Sequence, residues 1–117
     1  MFKILIIDDD EDILDLIEMA TNGLAAKIFK AYDGKKGWDT FIEERPDVVI
    51  TDYKMPGLDG YELAQLIRKE SPHCLIILLT GTENLEEKVR SQFSHIAPKP
   101  FSIVDFQKTL KTLSGNK

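Results

Sequence analysis

The chain has one cysteine, two histidines, no surplus of basic charge, and no apolar run near the roughly 20 residues needed to span a bilayer. Each shortage closes off a class of function. Cys74 alone cannot form an internal disulfide, and its place at the head of an apolar run marks it as a packed small hydrophobe rather than a nucleophile. His73 and His95 have no Cys or His neighbour at ligand spacing, so no zinc site is expected. The apolar run Ile4 to Ile7 leads straight into Asp8, Asp9 and Asp10, which a secretory signal would not tolerate, so a cytoplasmic location without membrane attachment is expected. With 15 basic against 20 acidic residues and a net charge of −5, direct nucleic-acid binding is not expected. Repeats and low-complexity stretches are absent. The 117 residues suit a single domain, because either half alone would bury too little surface for a stable core.

What the sequence does contain is a fivefold alternation of short apolar runs with amphipathic stretches. Lys3 to Ile7 reads as a buried strand, followed by a helix capped by Asp9 or Asp10, with Ile13, Leu16, Ile17, Ala20 and Leu24 on its core face and a stop at Asn22-Gly23. Ala26 to Ala31 alternates in character and suits an edge strand. After the Asp33-Gly34 turn, a helix over 35–44 is expected to bury Trp38, Phe41 and Ile42, with Gly37 costing about 1 kcal/mol inside it. Pro46 ends that helix and Val48 to Ile50 form the third strand. Asp59 caps a helix with Leu63, Leu66 and Ile67 on one face, ended by Ser71-Pro72. Cys74 to Leu79, the most apolar run, is expected inside the sheet. A fourth helix follows from the spacing of Leu85, Val89 and Phe93, then a brief strand, His95 to Ala97, with Pro98 at its end. Ser102 with Asp105 resembles a capping box for a last helix burying Ile103, Phe106, Leu110 and Leu113, before a flexible tail over 114–117. This alternation predicts a doubly wound α/β fold: a five-stranded parallel sheet in order 2-1-3-4-5 with five helices on its two faces. The switch point then falls between the first and third strands, where ligands of such sheets bind.

An Asp that follows a strand commonly does no more than start a turn. Asp52 is lifted above that reading by company, because Asp8, Asp9, Asp52, Thr80 and Lys99 all fall at the carboxyl ends of four different strands. Crowded carboxylates repel, which raises the pKa of one or calls in a cation, and an all-oxygen site suits Mg²⁺, with Mn²⁺ as a substitute. A carboxylate beside such an ion can attack phosphorus to give an acyl phosphate, with the Thr80 hydroxyl and the Lys99 ammonium as hydrogen-bond donors.

Taken in order, Asp8-Asp9, Asp52 with Met55-Pro56 and Gly60, Thr80-Gly81, and Lys99-Pro100-Phe101 resemble the receiver domain of bacterial response regulators over nearly the whole chain. The resemblance implies a flavodoxin-like fold and a role in two-component signalling. By it, Asp52 is the phosphoacceptor, Asp9 the main Mg²⁺ carboxylate, Asp8 its helper through water, and the backbone carbonyl of Lys54 a further metal ligand. Thr80 and Lys99 would hold the phosphoryl oxygens. A histidine kinase or histidine phosphotransfer protein would donate the group, and a downstream protein would read the result. The chain would act as a switch with slow self-hydrolysis rather than as a turnover enzyme.

Two departures from the family accompany these matches. Ile96 stands three positions before the lysine, where an aromatic residue is usual, and the segment from Thr80 to Lys99 is about three residues short. Remodelling of that face makes a monomer the expected unphosphorylated state. Lys54 and Thr82 flank the family's water path, and a long Lys54 side chain is expected to prolong the acyl phosphate. No output domain follows Leu113, so a stand-alone receiver, a phosphorelay intermediate and a piece of a longer regulator all remain open. Two alternatives compete with phosphotransfer to Asp52. One is a Mg²⁺-dependent phosphatase of the haloacid dehalogenase type with Asp8 as nucleophile and Asp10 as acid. The other is a pseudo-receiver that binds a partner without phosphorylation.

Overall fold

A computed structural model describes residues 2–21, 26–82, 84–99 and 102–115. Five strands run parallel: β1 (Phe2–Ile7), β2 (Ala26–Ala31), β3 (Val48–Asp52), β4 (Leu75–Thr80) and β5 (His95–Pro98). Between and after them come α1 (Glu11–Ala20), α2 (Gly34–Glu44), α3 (Gly60–Glu70), α4 (Glu87–Arg90) and α5 (Ile103–Gly115). The strand order is β2-β1-β3-β4-β5, as expected for a doubly wound sheet, with β2 and β5 on the edges.

The interior strands are mostly apolar because both of their faces are covered, the exceptions being Lys3 near the start of β1 and Thr51, Asp52 and Thr80 toward the carboxyl ends of β3 and β4. Leu5, Ile7, Val49, Ile76 and Leu78 join Phe41, Leu63 and Ile67 of α2 and α3 in one cluster. The alternate residues Ile4, Ile6, Val48, Ile50, Ile77 and Leu79 pack with Leu14 and Ile17 of α1 and Phe106 and Leu110 of α5 in the other. The period of two along each strand thus divides a single sheet between two cores.

Helix ends follow local chemistry. Asp10 caps α1 through the Asp12 N–H, Asp33 caps α2 through the Lys36 N–H, and Asp59 forms a reciprocal capping box with Glu62. The Asp105 N–H donates to Ser102 Oγ at 3.3 Å, which supports the start of α5. Arg45 ends α2 in the left-handed region at φ 49, one residue ahead of Pro46.

Several expectations need correction. In α1, Leu16 is 38% exposed and Leu14 takes the core position, because Ile17 and Ala20 place the buried stripe one residue away from Leu16. Ile42 is likewise 40% exposed, since Phe41 faces the sheet and the next residue turns about 100° away. Trp38 and Leu66 are half-buried. The fourth helix is a single turn, with Leu85 and Phe93 packing from irregular backbone on either side of it. The last helix continues to Gly115, so no tail begins at Ser114. The expected stop at Asn22-Gly23, the placement of Leu24, the burial of Leu113, the Pro100-Phe101 pair and residues 116–117 lie outside the described residues or side chains.

Gly37 has a packing reason that outweighs its helix propensity. A Cβ there would lie 2.5 Å from Cδ1 of Ile7, so α2 approaches β1 closely enough that an added methyl must displace the buried Ile7 side chain.

Candidate functional site

Register brings the site together. β1 pairs with β3 such that Ile7 lies beside Thr51, which sets Asp8 and Asp52 side by side at the carboxyl edge. β3 pairs Asp52 with Leu79, β4 pairs Thr80 with Pro98, and the Lys99 N–H donates to the Thr80 carbonyl at 3.0 Å. All of the side chains expected there thus occupy one edge, at the switch point.

Lys99 is the hub of the ionic contacts. Its ammonium donates to Asp8 Oδ2 at 2.8 Å and lies 3.2 Å from Asp52 Oδ1. Asp8 is fully buried, and its second oxygen accepts the Asp10 N–H at 3.0 Å. Asp52 Oδ1 also accepts the Tyr53 N–H at 2.9 Å, and among the described residues its other oxygen has no hydrogen-bond partner. One carboxylate oxygen each from Asp8, Asp9 and Asp52 lies within 4.8 Å of the others. Asp9 is exposed, Asp52 is half-buried, and Thr80 is buried with Oγ1 accepting the Thr82 N–H at 3.0 Å.

The charges are unequal, and the titrations reflect this. Burial pushes the Asp8 carboxyl above its usual range; the Lys99 and Asp10 hydrogen bonds pull it back only in part, and the Asp52 charge adds to the rise. Burial also works against the charged form of Lys99, but the hydrogen bond to Asp8 and the charges of Asp52 and Asp8 outweigh it, leaving this ammonium above its ordinary value. One lysine serves more acid than it can compensate.

The donor set fits a hard divalent cation. It is all oxygen, close enough for shared coordination, and under-compensated by Lys99. Lys54 stands exposed in the loop after β3, two residues beyond Asp52. That loop is held tightly at both ends. The Gly60 N–H donates to the Tyr53 carbonyl at 2.8 Å, and a Cβ at Gly60 would collide with the Asp52 carbonyl. A Cβ at Gly34, where α2 begins, would collide with the Leu58 carbonyl, while Gly57 turns the chain at φ 77.

Asp10 does not join the cluster, since its carboxylate accepts the Asp12 N–H as a helix cap. With Asp8 buried and both of its oxygens engaged, the assignment of Asp8 as nucleophile and Asp10 as acid finds no support in the geometry. Glu11 and Asp12 are first-turn acids of α1, favoured by the helix dipole. Sequence reasoning did not single out Gly34 or Arg90. The Asp33-Gly34 pair gave only a turn signal, and Arg90, at the end of the single-turn α4, lines a cavity with Thr80 that no local pattern announces.

A doubly wound parallel sheet with an acidic switch point faced by a threonine and a lysine defines the class of protein. Comparison with known proteins supplies the family. The profile of the response regulator receiver domain matches residues 4–111, and the chain belongs to that family. Among curated proteins, the uncharacterized transcriptional regulatory protein YesN of Bacillus subtilis is 37% identical over 107 residues, covering 86% of this chain. The chain spans 29% of that relative's length. Among solved structures, the chemotaxis protein CheY4 of Vibrio cholerae is similar with a TM-score of 0.85 and 26% identity, covering 96% of this chain and 98% of that one. A response regulator receiver domain protein from Clostridium thermocellum gives 0.84 and 31%, covering 96% and 93%. Among the described residues, no helix is long and apolar enough to cross a membrane.

Proposed function

We propose that Asp52 accepts a phosphoryl group from a phosphohistidine on a histidine kinase or phosphotransfer protein, in a Mg²⁺-dependent reaction. The observation that carries this reading is the Lys99 ammonium set between Asp8 and Asp52, next to an Asp52 oxygen with no partner among the described residues. That oxygen attacks phosphorus as the phosphorus–nitrogen bond breaks, and the electron pair leaves with the donor imidazole. Asp8, Asp9 and Asp52, with the Lys54 carbonyl, would hold the ion; Mn²⁺ suits the same oxygens. When bound, the ion supplies positive charge against the oxygens of the group in transfer. Lys99 and the Thr80 hydroxyl donate hydrogen bonds to those oxygens. The reaction ends with a modified protein, so the chain works as a switch, reset when water attacks phosphorus and releases the Asp52 carboxylate. A downstream protein then distinguishes the two states, and the unphosphorylated chain is monomeric.

The test uses acetyl phosphate with Mg²⁺ and intact-mass detection. The wild type gains one phosphoryl group, chelation of the metal abolishes the gain, and Asp52→Asn gains none. Continued labelling of Asp52→Asn would refute the assignment.

A further inference from the structure

Between Asp52 and Gly60 the loop is held at its ends, from below and from the side. Gly60 closes it with an N–H on the Tyr53 carbonyl at 2.8 Å, and Asp59 is tied into the capping box of α3. Met55 is buried beneath it, in the same apolar cluster that Leu58 packs against. The sideways contact comes from α2. A Cβ at Gly34, the first residue of that helix, would overlap the Leu58 carbonyl oxygen and lie 2.9 Å from Leu58 Cβ. The overlap is with main chain and the Cβ bonded to it, so no side-chain rotation relieves it. Among the described glycines only Gly57 has a positive φ, so glycine is needed at position 34 for space and not for its backbone angle.

The helix start is the stiffer of the two partners. Asp33 accepts the Lys36 N–H at 2.7 Å on its carboxylate and the Gly37 N–H at 2.9 Å on its carbonyl, while Gly37 seats α2 against Ile7. A side chain at position 34 therefore displaces Leu58, and close packing passes the shift to Met55 in the shared cluster. The Lys54 carbonyl belongs to the planar peptide that joins Lys54 to Met55, so it turns when Met55 moves.

We infer that Gly34 is a positioning residue for the divalent cation: its missing side chain lets α2 brace Leu58, and through Met55 this brace aims the Lys54 carbonyl. The inference rests on the reading of Asp8, Asp9, Asp52 and that carbonyl as the ligands of the ion. Ion size supplies a signature. Mg²⁺ demands near-octahedral oxygen geometry, whereas Ca²⁺ accepts variable geometry, so a mis-aimed carbonyl costs Mg²⁺ more than Ca²⁺. A general loss of stability lowers both affinities alike.

The test titrates the full chain with Mg²⁺ and, separately, with Ca²⁺, reading dissociation constants from the backbone amides of Asp9 and Tyr53 by NMR. Gly34→Ala should bind Mg²⁺ about tenfold more weakly, the scale of losses from groups that orient metal ligands, and Ca²⁺ with a smaller loss. Ile42→Gly weakens α2 at an exposed position without changing charge, and should leave both constants unchanged. An unchanged Mg²⁺ constant in folded Gly34→Ala, or equal losses for the two ions, overturns the inference. Where Gly34→Ala does not fold, hydrogen exchange in the wild type decides, because coupling between the ion and the helix start acts in both directions. Mg²⁺ should then slow exchange at Lys36 and Gly37 more than at Ser71, at the far end of α3, and equal slowing at all three overturns the inference. Labelling with acetyl phosphate is read in parallel. A wild type that binds Mg²⁺ but takes no label sinks the phosphoacceptor reading, and the titrations still decide the role of Gly34; a wild type that binds neither ion overturns that role.

Discussion

Replacing Lys99 with alanine removes the positive charge held within the acidic cluster, and the structure sets the size of the effect. Asp8 is 0% exposed, Asp52 14% and Lys99 24%. Removing one partner of a buried ion pair costs about 3–5 kcal/mol, and the partial exposure of Lys99 favours the lower end, since water can enter behind it. The loss also leaves the acids facing each other. With carboxylate oxygens within 4.8 Å of one another, two unit charges at an effective dielectric of 20 repel by about 3.5 kcal/mol or more. Protonation caps the penalty, because neutralising one ordinary carboxyl at pH 7 costs about 4 kcal/mol. Lys99→Ala should therefore destabilise the metal-free protein by about 3–4 kcal/mol at pH 7, a large share of the 5–15 kcal/mol of a typical domain. Urea unfolding in chelator measures this. The loss should shrink at pH 4, should shrink in the double variant Lys99→Ala/Asp52→Asn, and should be restored by Mg²⁺ more strongly than in the wild type. A loss below about 1 kcal/mol at pH 7, with no recovery in the double variant, would refute the electrostatic account of the site.

Three further outcomes follow from other parts of the molecule. Gly37→Ala should destabilise by about 1–3 kcal/mol despite alanine's better helix propensity, because the added methyl meets Ile7; a higher melting temperature would contradict the packing argument. The pKa of Asp8 is raised in the folded state, so this group favours folding below the ordinary carboxylate pKa, and that contribution is lost as pH rises through the raised value. In metal-free protein, the stability of the wild type relative to Asp8→Asn should thus fall between pH 4 and pH 7, and a flat or rising difference would be inconsistent with a raised Asp8. Lys54→Ala should hasten loss of the phosphoryl group, since the exposed lysine beside Asp52 loses its ability to cover the bond; an unchanged decay of label would remove that role.

How much of this was legible in the sequence depended on which force set each feature. Strands read clearly, because burial on both faces demands unbroken apolar runs, and the carboxyl end of each run placed Asp8, Asp52, Thr80 and Lys99 without any knowledge of contacts. Helix faces read less well. Leu14 and Leu16 both sit among apolar neighbours, and only the sheet beneath chooses between them. The spacing of Leu85, Val89 and Phe93 suits a helix, but tertiary bonds compete with it: the Ser94 N–H donates to the Ile76 carbonyl at 2.8 Å, and Arg68 Nε donates to the Gln92 carbonyl at 3.0 Å. Arg68 also donates to the carbonyls of Pro72 and Cys74 and to Ser94 Oγ, fastening the end of α3 to both flanks of β4. No local pattern announces such a clamp. The burial of Asp8 beside an exposed Asp9 has no local signal either, and only the family resemblance set the two apart.

Trp38 is the one indole in the chain, and it stacks on Phe41 with ring centroids 5.8 Å apart. It packs against the same cluster as Met55 and Leu58, which belong to the loop that follows Asp52. The protein therefore carries its own optical probe. Emission from a half-buried indole shifts when its packing changes, so a repacking of this shared cluster can be timed by stopped-flow fluorescence without attaching a dye.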